Sequence, residues 1–293
     1  MNVKPSQRQR LGQVLNKPLQ HFLLRSNYRH KLNIPPIRFD NLTFANKTSR
    51  MEIKGNIHCL FEQSGTFKAA FKELGYRAFD YDIQNDFGQT DIVCNIFTHI
   101  ERAFSGKASL FDSFCQDDLI LAFFPCVYFC ENNQLYFCGQ HRNLSKLSTH
   151  DKINVIVKRA TEREKFYEIA LKLFGISDER QLRLIVENPY STMHYLVGNF
   201  PYKATLIDRD RTRRGDFFRK PTQYWIINCE PTYGESLQPN KECLKVNRCK
   251  KGKKSGMCSK ERSLIAPAYA RNFIHDFILG QKQHNTQLTL FEE

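Results

Sequence analysis

Two segments of the chain end an apolar run with a group that could do chemistry. Phe124-Pro125-Cys126 places a thiol after the apolar residues 119–124, and the end of a buried strand is where α/β sheets keep their reactive groups. Glu187 follows the apolar residues 184–186, where a carboxylate is costly unless it is hydrogen-bonded or used. The plainer alternatives are a small buried hydrophobic cysteine and an acid that caps a turn.

A third segment has the features of a nucleoside site. Gln63 to Gly65 forms a small-residue turn between a strand and a helix, whose free N–H groups can face a ligand. About 20 residues further on, Asp80 and Asp82 end the next strand, where a carboxylate can accept ribose hydroxyls. Because the turn holds one glycine, an ordinary strand–turn–helix unit remains the alternative.

Alternating strands and helices must position these groups. This alternation predicts an α/β fold, with a parallel sheet and helices on both of its faces. The predicted elements are strands at 56–61, 76–81, 119–124, 182–186 and 223–228, a short element at 91–97, and helices at 66–74, 151–174 and 268–279.

Charge is concentrated in two regions of the 293 residues. The chain holds 44 basic and 30 acidic residues, a net charge of +14. Residues 1–50 and residues 209–262 each carry +9, and the remainder is close to neutral. Basic regions of this kind favour a polyanionic partner, because each neutralised phosphate releases counterions. Solubility alone is the other explanation.

Composition excludes several classes. With 41% hydrophobic and 25% charged residues, the chain is neither wholly disordered nor collagen-like. Its apolar runs are too short to span a membrane as a helix, and no secretory signal is visible. We therefore expect a cytoplasmic protein whose ten cysteines are reduced thiols or metal ligands.

The chain divides into five predicted regions. A basic N-terminal arm, not needed for folding, precedes a catalytic core, a small basic region rich in Cys and Lys, a helix that returns to the core, and a flexible tail. Their ranges are 1–50, 51–208, 209–262, 263–280 and 281–293.

Taken together and in order, the motifs resemble the DNA (cytosine-5) methyltransferases, especially compact phage and bacterial members. The matching pieces cover roughly residues 56–279 and imply a Rossmann-like class I methyltransferase sheet with a target-recognition region. They are 60–65 for the cofactor motif, 124–126 for Pro-Cys, 187–188 for Glu-Asn, 211–215 and 219–222 for the basic segment, and 262–267 for the last cofactor motif. Restriction-modification, phage self-protection and regulation remain open as biological roles.

The resemblance implies covalent catalysis on a flipped base. Cys126 would add to C6 of cytosine, so that C5 can accept a methyl group from S-adenosylmethionine. Nearby arginines would lower the pKa of the Cys126 thiol. Glu187 would bind the N3/N4 edge of the base. Arg211 or Arg213 would steady the base or its phosphate.

The resemblance also implies binding residues for cofactor and double-stranded DNA. The cofactor set is Phe61, Glu62, Gln63, Ser64, Gly65, Thr66, Asp80, Asp82, Asn95, Pro125 and Ser263. The DNA set is Arg209, Arg214, Arg219, Lys220, Lys250, Lys251, Lys253 and Lys254. Arg209, Arg211 and Arg213 alternate, and on a strand they would share one face.

Some residues depart from the family pattern. Asn95 is an amide where an acid often reads the adenine, and Val127 follows the thiol where a polar residue is usual. A DNA-binding relative without turnover is therefore one alternative. An amino-methyltransferase is another, because Asn188-Pro189-Tyr190 faintly resembles an Asn-Pro-Pro-Tyr motif. An RNA substrate also stays open.

Two further sites lie near the C-terminus. Four thiols could hold a structural zinc, although their spacing fits no tight Cys-x-x-Cys pattern, and reduced cysteines are favoured. They are Cys229, Cys243, Cys249 and Cys258. The tail resembles the short peptide by which bacterial DNA-processing proteins bind the sliding clamp. Its apolar and polar contact residues are Gln287, Leu288, Leu290 and Phe291.

Overall fold

A computed structural model of the chain describes residues 51–234 and 263–280. Strands and helices alternate, and a π-helix continues the last α-helix. In chain order the elements are β1 (Ile57–Leu60), α1 (Thr66–Glu73), β2 (Ala78–Asp82), β3 (Ile92–Val93), α2 (Ile96–Phe104), β4 (Leu119–Phe123), α3 (Glu131–Phe137), α4 (Thr149–Glu179), β5 (Arg183–Pro189), α5 (Tyr195–Asn199), β6 (Leu206–Asp208), β7 (Thr222–Ile227), α6 (Pro267–Phe273) and the π-helix (Ile274–Leu279). Single 3₁₀ turns lie at Leu110–Ser113, Arg142–Leu144 and Arg211–Arg213.

The seven strands form one sheet in the order β3-β2-β1-β4-β5-β7-β6. Strands β1 to β5 are parallel, and β7 runs antiparallel to both β5 and β6. The predicted α/β class is confirmed, and this order is compatible with a Rossmann-like fold. The direction of strand addition reverses between β1 and β4, and such a reversal is where open α/β sheets bind ligands, beyond the carboxyl ends of the strands.

Helices cover both faces because successive residues of the central strands point to opposite sides. On one face, Cys59 of β1 shares a buried cluster with Phe67 of α1 and Phe273 of α6. On the other face, Leu60 shares a second cluster with Phe174 of α4. Strand β1 is consequently buried along its whole length and β4 along all but its last residue, and both read as apolar runs.

Two segments differ from the sequence-based expectation. The element predicted at 91–97 is a two-residue strand followed by the start of α2. The alternating arginines at 209–213 do not lie on a strand, because the Asp210 carboxylate accepts a hydrogen bond from Thr212 N at 3.2 Å and closes a 3₁₀ turn. These arginines therefore do not share one face.

The sheet extends into the range predicted as a recognition region. Strand β7 lies within 209–262 and pairs with β5 along six residues, so the residues up to 227 belong to the core. The basic arm 1–50, the Lys-rich residues of 235–262 and the clamp-like tail lie outside the described residues. Within the described ranges, no helix combines the length and apolar character needed to cross a membrane.

Candidate active site

The three motifs meet along the carboxyl edge of the sheet. Strand β4 lies between β1 and β5, and the register pairs Leu60 with Ala122 and Phe123 with Glu187. Cys126 follows three residues after Phe123, at the end of the strand that lies between the Glu187 strand and β1. The edge thus brings together a thiol, an acid and a turn at the point of strand reversal.

A helical turn after Cys126 brings a second thiol beside it. The Cys126 carbonyl accepts hydrogen bonds from Phe129 N at 2.9 Å and Cys130 N at 3.2 Å. The hydrogen bond between the two thiols, followed by burial, raises the pKa of Cys126. The same hydrogen bond lowers the pKa of Cys130 to about 6. In this pair the proton therefore stays on Cys126, and Cys130 is the thiolate near neutral pH.

The cation that acts on these thiols is not an arginine. The positive charge of Lys220 lowers the pKa of both sulfurs, although larger influences outweigh it at Cys126. The expectation that arginines lower the pKa of Cys126 is wrong, because that pKa is raised and the positive charge that acts on the thiol is that of Lys220. Lys220 was predicted as a phosphate contact, and the structure brings it to the thiol pair.

The most buried arginine of the basic segment is Arg211, which lies against Glu187. Its Nη1 is 3.7 Å from Glu187 Oε1, and its Nη2 is 2.5 Å from Asp216 Oδ2. The guanidinium is 1% exposed and lies 4.3 Å from the Tyr269 ring centroid. Arg211 is thus placed to hold Glu187 rather than a phosphate, whereas Arg213 is exposed.

Glu187 Oε1 faces the Arg211 guanidinium but accepts no hydrogen bond from the described residues. The residue is 8% exposed. A buried carboxylate oxygen without a donor is costly unless a bound group completes it. The next residue, Asn188, is fully buried and donates from Nδ2 to the Phe124 carbonyl at 2.7 Å.

The turn after β1 is built around a helix cap. The buried Glu62 carboxylate accepts hydrogen bonds from Phe67 N at 2.7 Å and Lys68 N at 3.2 Å, the free donors of the first turn of α1. Burial raises the pKa of Glu62 to about 7 despite these bonds. A Cβ on Gly65, where φ is +65°, would lie 3.2 Å from Lys68 Cε and 3.3 Å from Gln89 Cβ. Glycine is therefore required there.

The two acids predicted to bind ribose have different surroundings. Asp80 is fully buried and pairs with Lys68 Nζ at 2.9 Å, and the same amine lies 3.1 Å from Asp91. Asp80 is thereby committed to an internal ion pair, which corrects its assignment to the ribose. Asp82 ends β2 and accepts from Gln84 N at 2.8 Å, beside Ile83, which is 63% exposed.

The other predicted cofactor residues are mostly bonded to their own neighbours. Asn95 caps α2 by accepting from Thr98 N at 3.3 Å. Gln63 donates to the Gln84 side chain at 3.0 Å. The Phe61 ring packs against Phe97 and Phe124, Ser64 Oγ lies 3.0 Å from Thr66 Oγ1, Pro125 is half-buried and Ser263 is exposed.

The basic segment divides into exposed and buried members. Arg209 and Arg219 are exposed, the latter 3.3 Å from Asp210. Arg214 is instead largely buried, 3.2 Å from Asp208 and 2.7 Å from Asp276. Its assignment to DNA is therefore wrong, because its donors join β6 to the π-helix.

One of the four possible zinc ligands is described. The Cys229 thiol lies 3.4 Å from the Ile227 carbonyl, and burial raises its pKa to about 12. The other three cysteines lie outside the described ranges. Within residues 51–234 and 263–280, no three His, Cys, Asp or Glu side chains are grouped as metal ligands.

Three residues near the site had no role in the sequence prediction. The spacing of Cys130, four residues after Cys126, was a usable signal, because a helical turn brings such residues together. Lys68 and His194 gave no signal, since they reach the site only through contacts between separate elements.

Comparisons with known proteins add no family to this geometry. No protein-family model matches the chain, and no curated protein matches it.

Proposed function

We propose that this chain is a DNA methyltransferase that transfers a methyl group to C5 of cytosine, with S-adenosylmethionine as the methyl donor. The observation that carries the proposal is the thiol pair Cys126–Cys130 beside Glu187, at the carboxyl edge where the strand order reverses. The antiparallel β7 next to β5 also supports the class I methyltransferase form of the fold.

The residues of the edge can support covalent catalysis. Cys126 gives its proton to the Cys130 thiolate as its sulfur adds to C6 of an extruded cytosine, which forms a C–S bond and makes C5 nucleophilic. Glu187, held by Arg211, hydrogen-bonds the N3/N4 edge and stabilises the protonated ring. After methylation, loss of the C5 proton returns its electron pair to the ring, and the thiolate of Cys126 leaves.

The cofactor end of the edge fits a nucleoside. Asp82 offers a carboxylate at the end of β2, and the exposed Ile83 next to it offers an apolar surface for a base. The turn 61–66 would lie beneath the amino-acid part. The bound cofactor would supply the electrophilic methyl group.

The exposed positive charges support DNA as one partner, and the C-terminal tail supports a sliding clamp as another. Arg209, Arg213 and Arg219 are exposed and supply cations for DNA phosphates. Residues 287–291 are proposed as a sliding-clamp peptide. Deleting 287–293 should abolish retention on an immobilised clamp and leave methylation of free DNA unchanged. Equal retention of both proteins would refute the clamp assignment.

A mechanism-based trap tests the reaction. The full chain is incubated with labelled S-adenosylmethionine and a mixed-sequence pool of duplexes containing 5-fluorocytosine, whose C5 cannot lose its substituent. We expect a labelled, denaturant-resistant adduct on the peptide that contains Cys126. Cys126→Ser should abolish the adduct, and Cys115→Ser, which changes an exposed thiol outside the edge, should preserve it.

The products separate the other candidate functions. On ordinary DNA, 5-methylcytosine is expected among the released nucleosides. N4-methylcytosine or N6-methyladenine without an adduct would identify an amino-methyltransferase. DNA binding without methyl transfer would identify an inactive relative. An adduct that forms on RNA only would show that the substrate is RNA rather than DNA.

A further inference from the structure

A line of buried hydrogen bonds leads to the backbone next to Cys126, the predicted nucleophile. Asn188 Nδ2 donates to the carbonyl of Phe124, at 2.7 Å. That carbonyl belongs to the peptide bond with Pro125, which has no N–H of its own, and the next residue is Cys126. The orientation of the Asn188 amide therefore fixes the peptide plane that leads into Cys126.

His194 fixes that amide. Its Nδ1 lies 3.3 Å from Leu196 N, and a backbone N–H can only donate, so Nδ1 must be unprotonated. The hydrogen is then on Nε2, which donates to Asn188 Oδ1 at 3.0 Å. With Oδ1 turned to His194, the Asn188 NH₂ group must face Phe124.

Gln223 completes the line. Its Nε2 lies 3.2 Å from His194 Nδ1 and 2.8 Å from the Pro189 carbonyl, so both contacts agree with donation to the imidazole. All three side chains are buried, at 1% exposure for Gln223, 2% for His194 and 0% for Asn188. The loss of one partner would therefore leave a buried polar group unpaired, which is costly.

The segment at His194 holds the loop at a second point. Tyr195 N donates to the Phe129 carbonyl at 2.9 Å, and Phe129 N in turn donates to the Cys126 carbonyl. One short segment thus contacts the chain on both sides of the thiol.

We propose that His194 is a positioning residue, which holds the Cys126 loop through Asn188 and so sets the direction of the thiol. The inference rests on the proposed function for its kinetic consequence, but not for its geometry. A displacement of about 1 Å at a reacting group can lower a rate about 10²-fold.

Two substitutions test the two ring nitrogens of His194 separately. His194→Gln keeps an N–H donor near the position of Nε2, facing Asn188. His194→Asn keeps a polar atom near Nδ1, where it can accept from Leu196 N, but removes the donor to Asn188. The two variants are matched because each one removes the hydrogen bond of only one of the two ring nitrogens.

Adduct formation and thiol alkylation measure the effect. We expect His194→Asn to lower the rate of adduct formation on 5-fluorocytosine DNA about 10²-fold, with the KM values for DNA and S-adenosylmethionine within twofold. His194→Gln should stay within about threefold of the wild type. Independently, iodoacetamide should alkylate Cys126 at a rate altered at least fivefold in His194→Asn, with the exposed Cys138 unchanged as an internal reference.

Each result decides one of the two proposals. Equal losses in both variants that follow their melting temperatures would mean a purely structural histidine and would overturn the inference. An unchanged Cys126 alkylation rate in folded His194→Asn would overturn it too, even if the protein methylates DNA. Altered alkylation in a protein that traps no cytosine would support positioning and refute the methyltransferase.

Discussion

At the ends of β4 and β5, the motif residues lie close to one another, whereas at the ends of β1 and β2 most of them bind their own scaffold. Cys126 lies beside Glu187, which keeps a buried oxygen without a donor among the described residues. In the second region Glu62 and Asn95 cap helices. Asp80 binds a buried lysine through Oδ1, and its Oδ2, like Glu187 Oε1, has no donor among the described residues. We call the first region the nucleophile half and the second the nucleoside half.

This difference shows that the type of a residue does not by itself predict whether the residue binds a ligand. A carboxylate oxygen that accepts no internal hydrogen bond can still accept one from a ligand, whereas a turn before a helix supplies internal donors. In the nucleoside half, α1 and α2 both begin near the motif residues and occupy them. Asp82 is the last residue of β2 and is also buried, but it adjoins the exposed Ile83 at the edge of the sheet.

The largest expected effect lies in the nucleophile half. Glu187→Gln keeps the shape of the side chain but cannot hold a proton for the cytosine ring, so kcat for methyl transfer should fall about 10²- to 10⁴-fold. Glu101→Gln, which changes a carboxylate paired with Lys172 between α2 and α4, is the control. Equal rates for Glu187→Gln and the control would remove the acid from the proposed mechanism.

The two halves should respond oppositely to pH. Burial lowers the pKa of His194 to about 4, so its contribution to stability is present above pH 6.5 and is lost as pH falls through about 4. Burial raises the pKa of Glu62 to about 7, so its contribution is present below pH 4.5 and is lost as pH rises through about 7. Each change amounts to about 3 kcal/mol at its limit.

Urea unfolding from pH 4 to pH 8 measures both contributions. Relative to the wild type, His194→Gln should flatten the loss of the free energy of unfolding on the acid side. Glu62→Gln should flatten the loss toward neutral pH. Parallel curves for the wild type and both variants would contradict the assigned environments.

A pair of acids within the nucleoside half should separate binding from folding. Asp82→Asn should raise the Kd for S-adenosylhomocysteine about tenfold at nearly unchanged stability, because one charged hydrogen bond is weakened. Asp80→Asn should lower the free energy of unfolding by about 2 kcal/mol, less than for a fully broken buried pair, because Lys68 keeps Asp91. Titration calorimetry and urea unfolding measure the two quantities, and the reverse pattern would exchange the two assignments.

The sequence predicted the sheet better than the partners of its polar residues. Apolar runs and their order gave the α/β class, because burial on both faces forces continuous apolar strands. The three-residue β6 and the 3₁₀ turn at Arg211–Arg213 were missed, since a few local hydrogen bonds decide such short elements. The proximity of Cys126 to Glu187 was predictable from strand order, whereas the ring of His194 could not be placed from local pattern.

The smallest functional effect is expected for the arginines of the basic segment, and it differs between the exposed and the buried members. Replacing exposed Arg209, Arg213 or Arg219 with Ala should reduce the slope of log K against log salt for DNA binding by about one each, because one phosphate contact is lost. Arg214→Ala should leave the slope unchanged and lower the free energy of unfolding by about 3 kcal/mol, because Asp208 and Asp276 lose their shared cation. Fluorescence anisotropy across a salt series and urea unfolding measure these quantities. A slope that falls in Arg214→Ala as far as in the exposed variants would return Arg214 to the DNA surface.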